Sequence, residues 1–179
     1  GKKGMYTEED EPAPVNYYGE TKLAAEQLVK RYPFTWTIIR TILVYGTPLH
    51  NRPDLLSTVI NKLAAGESYN LVDDQLRTPT YAGDLAIGIR LVIEKRKTGI
   101  FHISGKEQMT PFEMGYKAAT FLGFDTSLLK KVTAATFTEP ARRPLLTGFD
   151  ITKAAAQLGY APVSFDSGLS FSFPLKNKK

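Results

Sequence analysis

Asn16-Tyr17-Tyr18-Gly19-Glu20-Thr21-Lys22-Leu23-Ala24-Ala25-Glu26, followed past Pro33 by Thr35-Trp36-Thr37-Ile38-Ile39-Arg40-Thr41-Ile42-Leu43-Val44-Tyr45-Gly46, decides how the fold is read. In the first half Leu23, Ala24 and Leu28 form an apolar stripe, predicting a helix from about Tyr17 to Arg31 that Pro33 stops. The second half is β-branched, aromatic and almost continuously apolar up to Gly46. That pattern suits a strand buried on both faces of a parallel sheet. Helix followed by buried strand is the tail of a βαβ unit, so the expected class is α/β, with a further strand ahead of residue 1. Arg40 inside such a strand is unusual and points to a cleft or an ion pair.

The helix places Tyr18 and Lys22 one turn apart on one face, where a phenol and an ammonium can approach one cofactor or substrate. An ammonium beside a phenol favours the phenolate and makes the hydroxyl a better proton donor, as reduction of a ketone requires. With nine tyrosines in the chain, one Tyr-x-x-x-Lys pair is expected by chance. Its weight therefore rests on its surroundings.

Ahead of the helix, residues 4–16 read as a polar connection with an acidic run at Glu8 to Glu11, and Pro12 and Pro14 forbid helix. Downstream, Asp54 caps a helix from Leu55 to Ala65, and Tyr69–Val72 is a short strand. Asp73 to Tyr81 is a loop or edge strand, because Pro79 cannot sit centrally in a sheet. Asp84 is expected to cap a helix ending at Lys95-Arg96-Lys97, followed by a buried strand over residues 100–104. His102 in that strand reads as a core or sheet histidine rather than a catalyst. Thr110-Pro111-Phe112-Glu113 opens a helix that closes at Gly123. A helical turn over 127–130, a possible strand at 132–133, a helix over 151–158 and a short helix over 164–173 complete the chain.

Composition narrows the function. The net charge of +5 is modest and partly resides in the tail Lys176 to Lys179. No aromatic-interleaved basic stripe marks a nucleic-acid surface. The absence of cysteine removes disulfides and thiolate metal sites, and two histidines, His50 and His102, are too few for zinc; no metal site is expected. No apolar run is long enough to span a membrane, and no signal peptide opens the chain. The setting expected is cytoplasmic.

Several separated stretches resemble one family, in order along nearly the whole chain. Asp10 to Glu26 looks like the active-site loop and helix of extended short-chain dehydrogenases, and more narrowly of the dTDP-4-dehydrorhamnose reductase branch. Arg40 to Gly46, Asp74-Gln75 with Pro79 to Ala86, Ala141 to Pro144 and Lys153 to Pro162 are similar to later segments of that branch. The resemblance implies NAD(P)H-dependent reduction of a nucleotide-linked 4-keto sugar. Tyr18 is then the proton donor, and Lys22 holds the nicotinamide ribose of NADPH or NADH. Tyr18, Lys22 and Arg40 are expected at the cofactor, and Arg77, Arg143 and Leu43 at the nucleotide sugar, the arginines at its diphosphate. Thr21 stands where the family usually has Ser, and Leu43 where the reductases commonly have Trp.

No glycine-rich phosphate loop occurs in these 179 residues. The chain therefore looks like the C-terminal part of a Rossmann-like fold interleaved with a small substrate-binding lobe, inactive by itself. Residues 1–46 and 82–105 are expected in the Rossmann-like part, and 47–81 and 106–179 in the lobe. The strand at 36–45 is expected to lack a neighbour and to have that edge hidden by homodimerisation or an altered fold. Gly99 to Thr110 also resembles the regulatory beta subunit of methionine adenosyltransferase, which points to a non-catalytic module. A nucleotide-sugar epimerase is a further alternative.

Overall fold

The computed structural model describes residues 2–47, 53–137 and 143–174. His50, Arg142 and the basic tail at 176–179 lie outside the described residues. Nine strands alternate with six helices among those residues: β1 Gly4–Tyr6, α1 Tyr17–Lys30, β2 Thr37–Arg40, β3 Val44–Tyr45, α2 Leu55–Ala64, β4 Tyr69–Val72, β5 Leu76–Arg77, β6 Thr80–Tyr81, α3 Ala82–Glu94, β7 Gly99–His102, α4 Pro111–Leu122, β8 Leu129–Val132, β9 Leu146–Phe149, α5 Thr152–Leu158 and α6 Phe165–Ser172. Every ladder is parallel: β1-β9-β5, β2-β7, β3-β6 and β4-β8. Parallel neighbours need long crossovers, and the helices supply most of them. The α/β class follows directly.

Helix ends obey their local chemistry. Asp54 accepts from the Ser57 amide at the start of α2, and Thr110 and Glu113 form a reciprocal capping box on α4. Gly123 closes α4 with φ +74°, a left-handed conformation that costs glycine little. The expected cap at Asp84 is not one. The helix begins earlier, at Ala82, and the buried Asp84 instead accepts from the Val163 amide at 3.0 Å. Burial pushes its carboxyl above the usual range.

The long strand expected over 35–45 is interrupted. Thr80 donates its amide to the Leu43 carbonyl (3.2 Å) and its hydroxyl to the Ile42 carbonyl (2.7 Å), bending the chain between β2 and β3. Leu43 takes φ +44° at that bend, an uncommon conformation for a side-chain-bearing residue. The polar connection over 4–16 also conceals β1, whose partner β9 runs from Leu146 to Phe149.

The core lies in separate patches. Tyr45, Leu56, Met114, Phe165 and Leu169 form one, and Val59, Leu63, Leu71 and Leu129 another. A third gathers Val92, Phe101 and Ile103 with Ala154, Leu158 and Tyr160. α5 therefore packs with α3 and β7, although its residues fall in the stretch 106–179 assigned from sequence to the substrate lobe.

Candidate active site

The site is built where β1 runs into α1. After Tyr6 the chain turns at Thr7–Asp10: the Asp10 carboxylate accepts from the Thr7 amide (2.7 Å) and hydroxyl (3.0 Å) and pairs with Lys3. These partners, Lys3 foremost, lower the Asp10 carboxyl to about 2. The prolines then carry an extended segment to Asn16, whose side chain accepts from the Gly19 amide at 2.9 Å and caps α1. Gly19 serves close approach. A Cβ there would lie 3.0 Å from the Pro14 Cβ, so glycine lets the loop rest on the first turn of the helix.

α1 presents Tyr18, Lys22 and Glu26 on successive turns, and all three line one groove of about 390 Å³. The Lys22 ammonium stands 5.4 Å from the centre of the Tyr18 ring. Tyr18 is exposed, so its hydroxyl is available to a ligand. Thr21 donates its hydroxyl to the Tyr18 carbonyl at 2.8 Å. Pro12, Pro14, Val15 and Phe149 give the groove an apolar wall, and Arg40 and His102 add to its polar lining.

Arg40 makes an ion pair within this groove. Its Nε donates to Glu26 Oε1 at 2.8 Å and its Nη2 to Glu26 Oε2 at 2.6 Å. The fork holds the Glu26 carboxyl below its ordinary range and raises the guanidinium, against the opposing effect of burial. Glu26 carries no motif of its own. Its only sequence signal is its place one turn beyond Lys22.

His102 is paired in register with Arg40 across β2 and β7. Its ring is 1% exposed and stacks on Phe149 with centroids 4.2 Å apart. Its Nδ1 faces the Tyr6 carbonyl at 3.1 Å, and its amide donates to Glu8 Oε1 at 2.8 Å. Among the described residues Nε2 has no hydrogen-bond partner. Burial pulls the imidazole below its ordinary value; the nearby Arg40 charge adds to this, and Glu8 opposes it. A neutral ring donating from Nδ1 fits these partners. Glu8 is thus engaged with a strand, where its acidic run reads as a solvated loop.

Two arginines expected at the diphosphate lie near each other but differ in burial. Arg77 is buried, and its guanidinium donates to the carbonyls of Leu76 (2.7 Å), Leu145 (2.9 Å) and Pro144 (2.6 Å) and to Gln75 Oε1 (2.8 Å). Those donors are spent inside the protein, where the resemblance implies a diphosphate contact. Burial, with the Arg143 charge adding to it, brings Arg77 down to about 10. Arg143 is exposed and precedes Pro144, which lines the groove. Leu43 packs beside the Tyr45 and Leu56 cluster and is not among the groove-lining residues.

The fold is parallel α/β of Rossmann type, and it sets a tyrosine and a lysine on one helix face along a groove. Residues 1–173 match the RmlD substrate binding domain, and the chain belongs to that family. It is 31% identical over 170 residues to a probable low-salt glycan biosynthesis reductase of Haloferax volcanii, covering 93% of this chain and 56% of that protein. It is 33% identical over 159 residues to the rat methionine adenosyltransferase 2 subunit beta, covering 86% and 47%. Among solved structures it is similar to a dTDP-4-dehydrorhamnose reductase of Clostridium acetobutylicum, with TM-score 0.87 and 28% identity over 95% of this chain and 59% of that one. The Bacillus anthracis dTDP-4-dehydrorhamnose reductase, solved with NADP, gives TM-score 0.85 and 29% identity, covering 94% and 59%. The chain thus spans about half the length of the curated relatives it matches. Among the described residues no helix is long and apolar enough to cross a membrane.

Proposed function

We propose that this chain carries the proton-donating and substrate-side part of an NAD(P)H-dependent reductase acting on a nucleotide-linked 4-keto sugar of the dTDP-4-dehydrorhamnose type. The observation that carries the reading is Tyr18 and Lys22 one turn apart on α1, the ammonium 5.4 Å from the centre of the phenol ring, both lining a groove with an apolar wall. A reduced nicotinamide, when bound, would supply the hydride for the keto carbon. Tyr18 Oη donates its proton to the oxygen that becomes an alkoxide, and Lys22 holds the phenol and the ribose hydroxyls by charge and hydrogen bonding. The apolar wall of Pro12, Pro14, Val15 and Phe149 would suit the nicotinamide ring, while the described residues include no glycine-rich phosphate cradle. Arg143, exposed beside the groove, is the arginine offered to the diphosphate; Arg77 is not. The setting of this reading is cytoplasmic nucleotide-sugar synthesis by a homodimer.

The test follows NADPH oxidation by the whole native polypeptide with dTDP-4-dehydrorhamnose. Tyr18→Phe is expected to lower kcat by about 10²–10⁴-fold, the usual worth of a positioned proton donor. Equal slow oxidation by wild type and Tyr18→Phe would refute the reading.

A second reading has its own support. Similarity to the methionine adenosyltransferase beta subunit, with Leu43 turned into an apolar cluster, suits a regulatory module that binds a partner enzyme. It predicts co-elution with such a partner on gel filtration and no turnover of the keto sugar.

A further inference from the structure

Glu26 stands outside the proton-donor reading, yet it shares the stripe that starts at Tyr18 and Lys22. What orients that stripe is not obvious from packing. α2 and α4 bury Leu56, Val59 and Met114, among others, and those faces fix how each helix sits. Within this chain α1 buries none of its 14 residues, with Gly19, Leu23 and Glu26 half-buried. Its N-terminus is anchored by Asn16 and by Gly19 against Pro14. Two turns further on, the anchor is the Glu26 carboxylate, gripped through both oxygens by Arg40. Both side chains are less than one-fifth exposed, at 17% and 18%, so this pair is not a solvated surface contact. Arg40 ends β2 and lies in register with the buried His102 of β7, so the fork ties the helix to the parallel ladder itself.

A bidentate fork fixes direction as well as distance. The tip of a helical side chain lies about 5–6 Å from the helix axis, so a rotation of α1 by about 10° moves it about 1 Å. Displacements of that size can cost a reaction about 10²-fold.

We propose that the Glu26–Arg40 fork is the positioning element of this site. It sets the rotation of α1 about its axis and, through α1, the placement of the Tyr18 hydroxyl and Lys22 ammonium. Arg40 acts through Glu26 rather than on the cofactor. The catalytic half of this proposal rests on the reductase reading above; the structural half does not.

The experiment pairs amide hydrogen exchange with kinetics on the whole native polypeptide, using Arg40→Lys, which keeps the charge and loses the fork, and Glu26→Gln. Exchange in α1 is expected to accelerate about tenfold in both variants while β2 and β7 keep wild-type protection. The kcat for the keto sugar is expected to fall about 10–100-fold with KM changed less than about threefold, the sign of a lost transition-state geometry. Unchanged α1 exchange overturns the proposal, and so does faster exchange spread equally over β2 and β7. Accelerated α1 exchange with wild-type kcat in Arg40→Lys also overturns it. If wild type itself does not turn over the keto sugar, the reductase reading fails, and the exchange pattern alone decides whether the fork orders α1.

Discussion

Arg77 illustrates how one side chain can be chemically suited to two tasks and be claimed by the less visible one. A guanidinium fork fits a diphosphate, and its position after Asp74-Gln75 is similar to a substrate-side segment. Its donors nevertheless end on three carbonyls and an amide oxygen, two of those carbonyls almost 70 residues away in sequence. Residue type was legible in the sequence; the acceptors that absorb it were not, because they arrive only when β5 and β9 pair. Arg77→Met leaves these acceptors buried without donors and is expected to cost about 3 kcal/mol of stability. Chemical denaturation checks this, and a midpoint within error of wild type would remove Arg77 from the framework. Glu26 is the opposite case. Nothing about an exposed-looking glutamate on a helix announces a bidentate partner 14 residues on. The shared face of Tyr18 and Lys22 was readable because it depends on a local spacing of four, which a helix alone secures.

Among elements, helices were more legible than strands. Capped starts and glycine stops are local chemistry, so α2, α4, α5 and α6 fall close to their expected ranges. β1 and β9 have three and four residues, too few for any periodicity to show, and exist because they pair with each other. The break between β2 and β3 was equally hidden. Thr80 lies almost 40 residues downstream, and its hydroxyl and amide take the two carbonyls that bend the chain at Leu43. The capping box of α4 allows a measurement at this scale. Thr110 accepts from the Glu113 amide at 3.1 Å and donates to Asp73 Oδ1 at 2.8 Å. Thr110→Ala is expected to lose about 1 kcal/mol from the cap alone, read as a lower denaturation midpoint. Thr110→Ser, which keeps both bonds, should restore most of it.

For the whole molecule, stability should depend on pH in two windows. His102 has a folded-state pKa below its ordinary 6.5. Between those values the unfolded chain holds a proton that the folded chain does not, so stability is full above about pH 6.5 and declines as pH falls through that window. Glu26 and Asp73 are held below their ordinary values of 4.5 and 3.8 by Arg40 and Lys131. Their contribution is present above the carboxylate range and is lost below it. Unfolding free energies near pH ~7.5 and ~5 should therefore differ in wild type, with the difference reduced in His102→Gln. A wild-type slope that His102→Gln leaves untouched would show that the buried ring does not control this window.

The absence of buried side chains along α1 has one more consequence. A helix of 14 residues is about 21 Å long and close to the limit at which helix–coil equilibrium in water turns unfavourable. Within this chain, with no residue of α1 buried, the amino acids' own helix propensities carry more weight along α1 than along α2 or α4. Gly19, Thr21 and Val29 are poor helix formers, and Leu23, Ala24, Ala25, Glu26, Gln27 and Leu28 are good ones. The order of the segment that carries Tyr18 and Lys22 therefore draws on that run of favourable residues as well as on its anchors at Asn16 and Glu26.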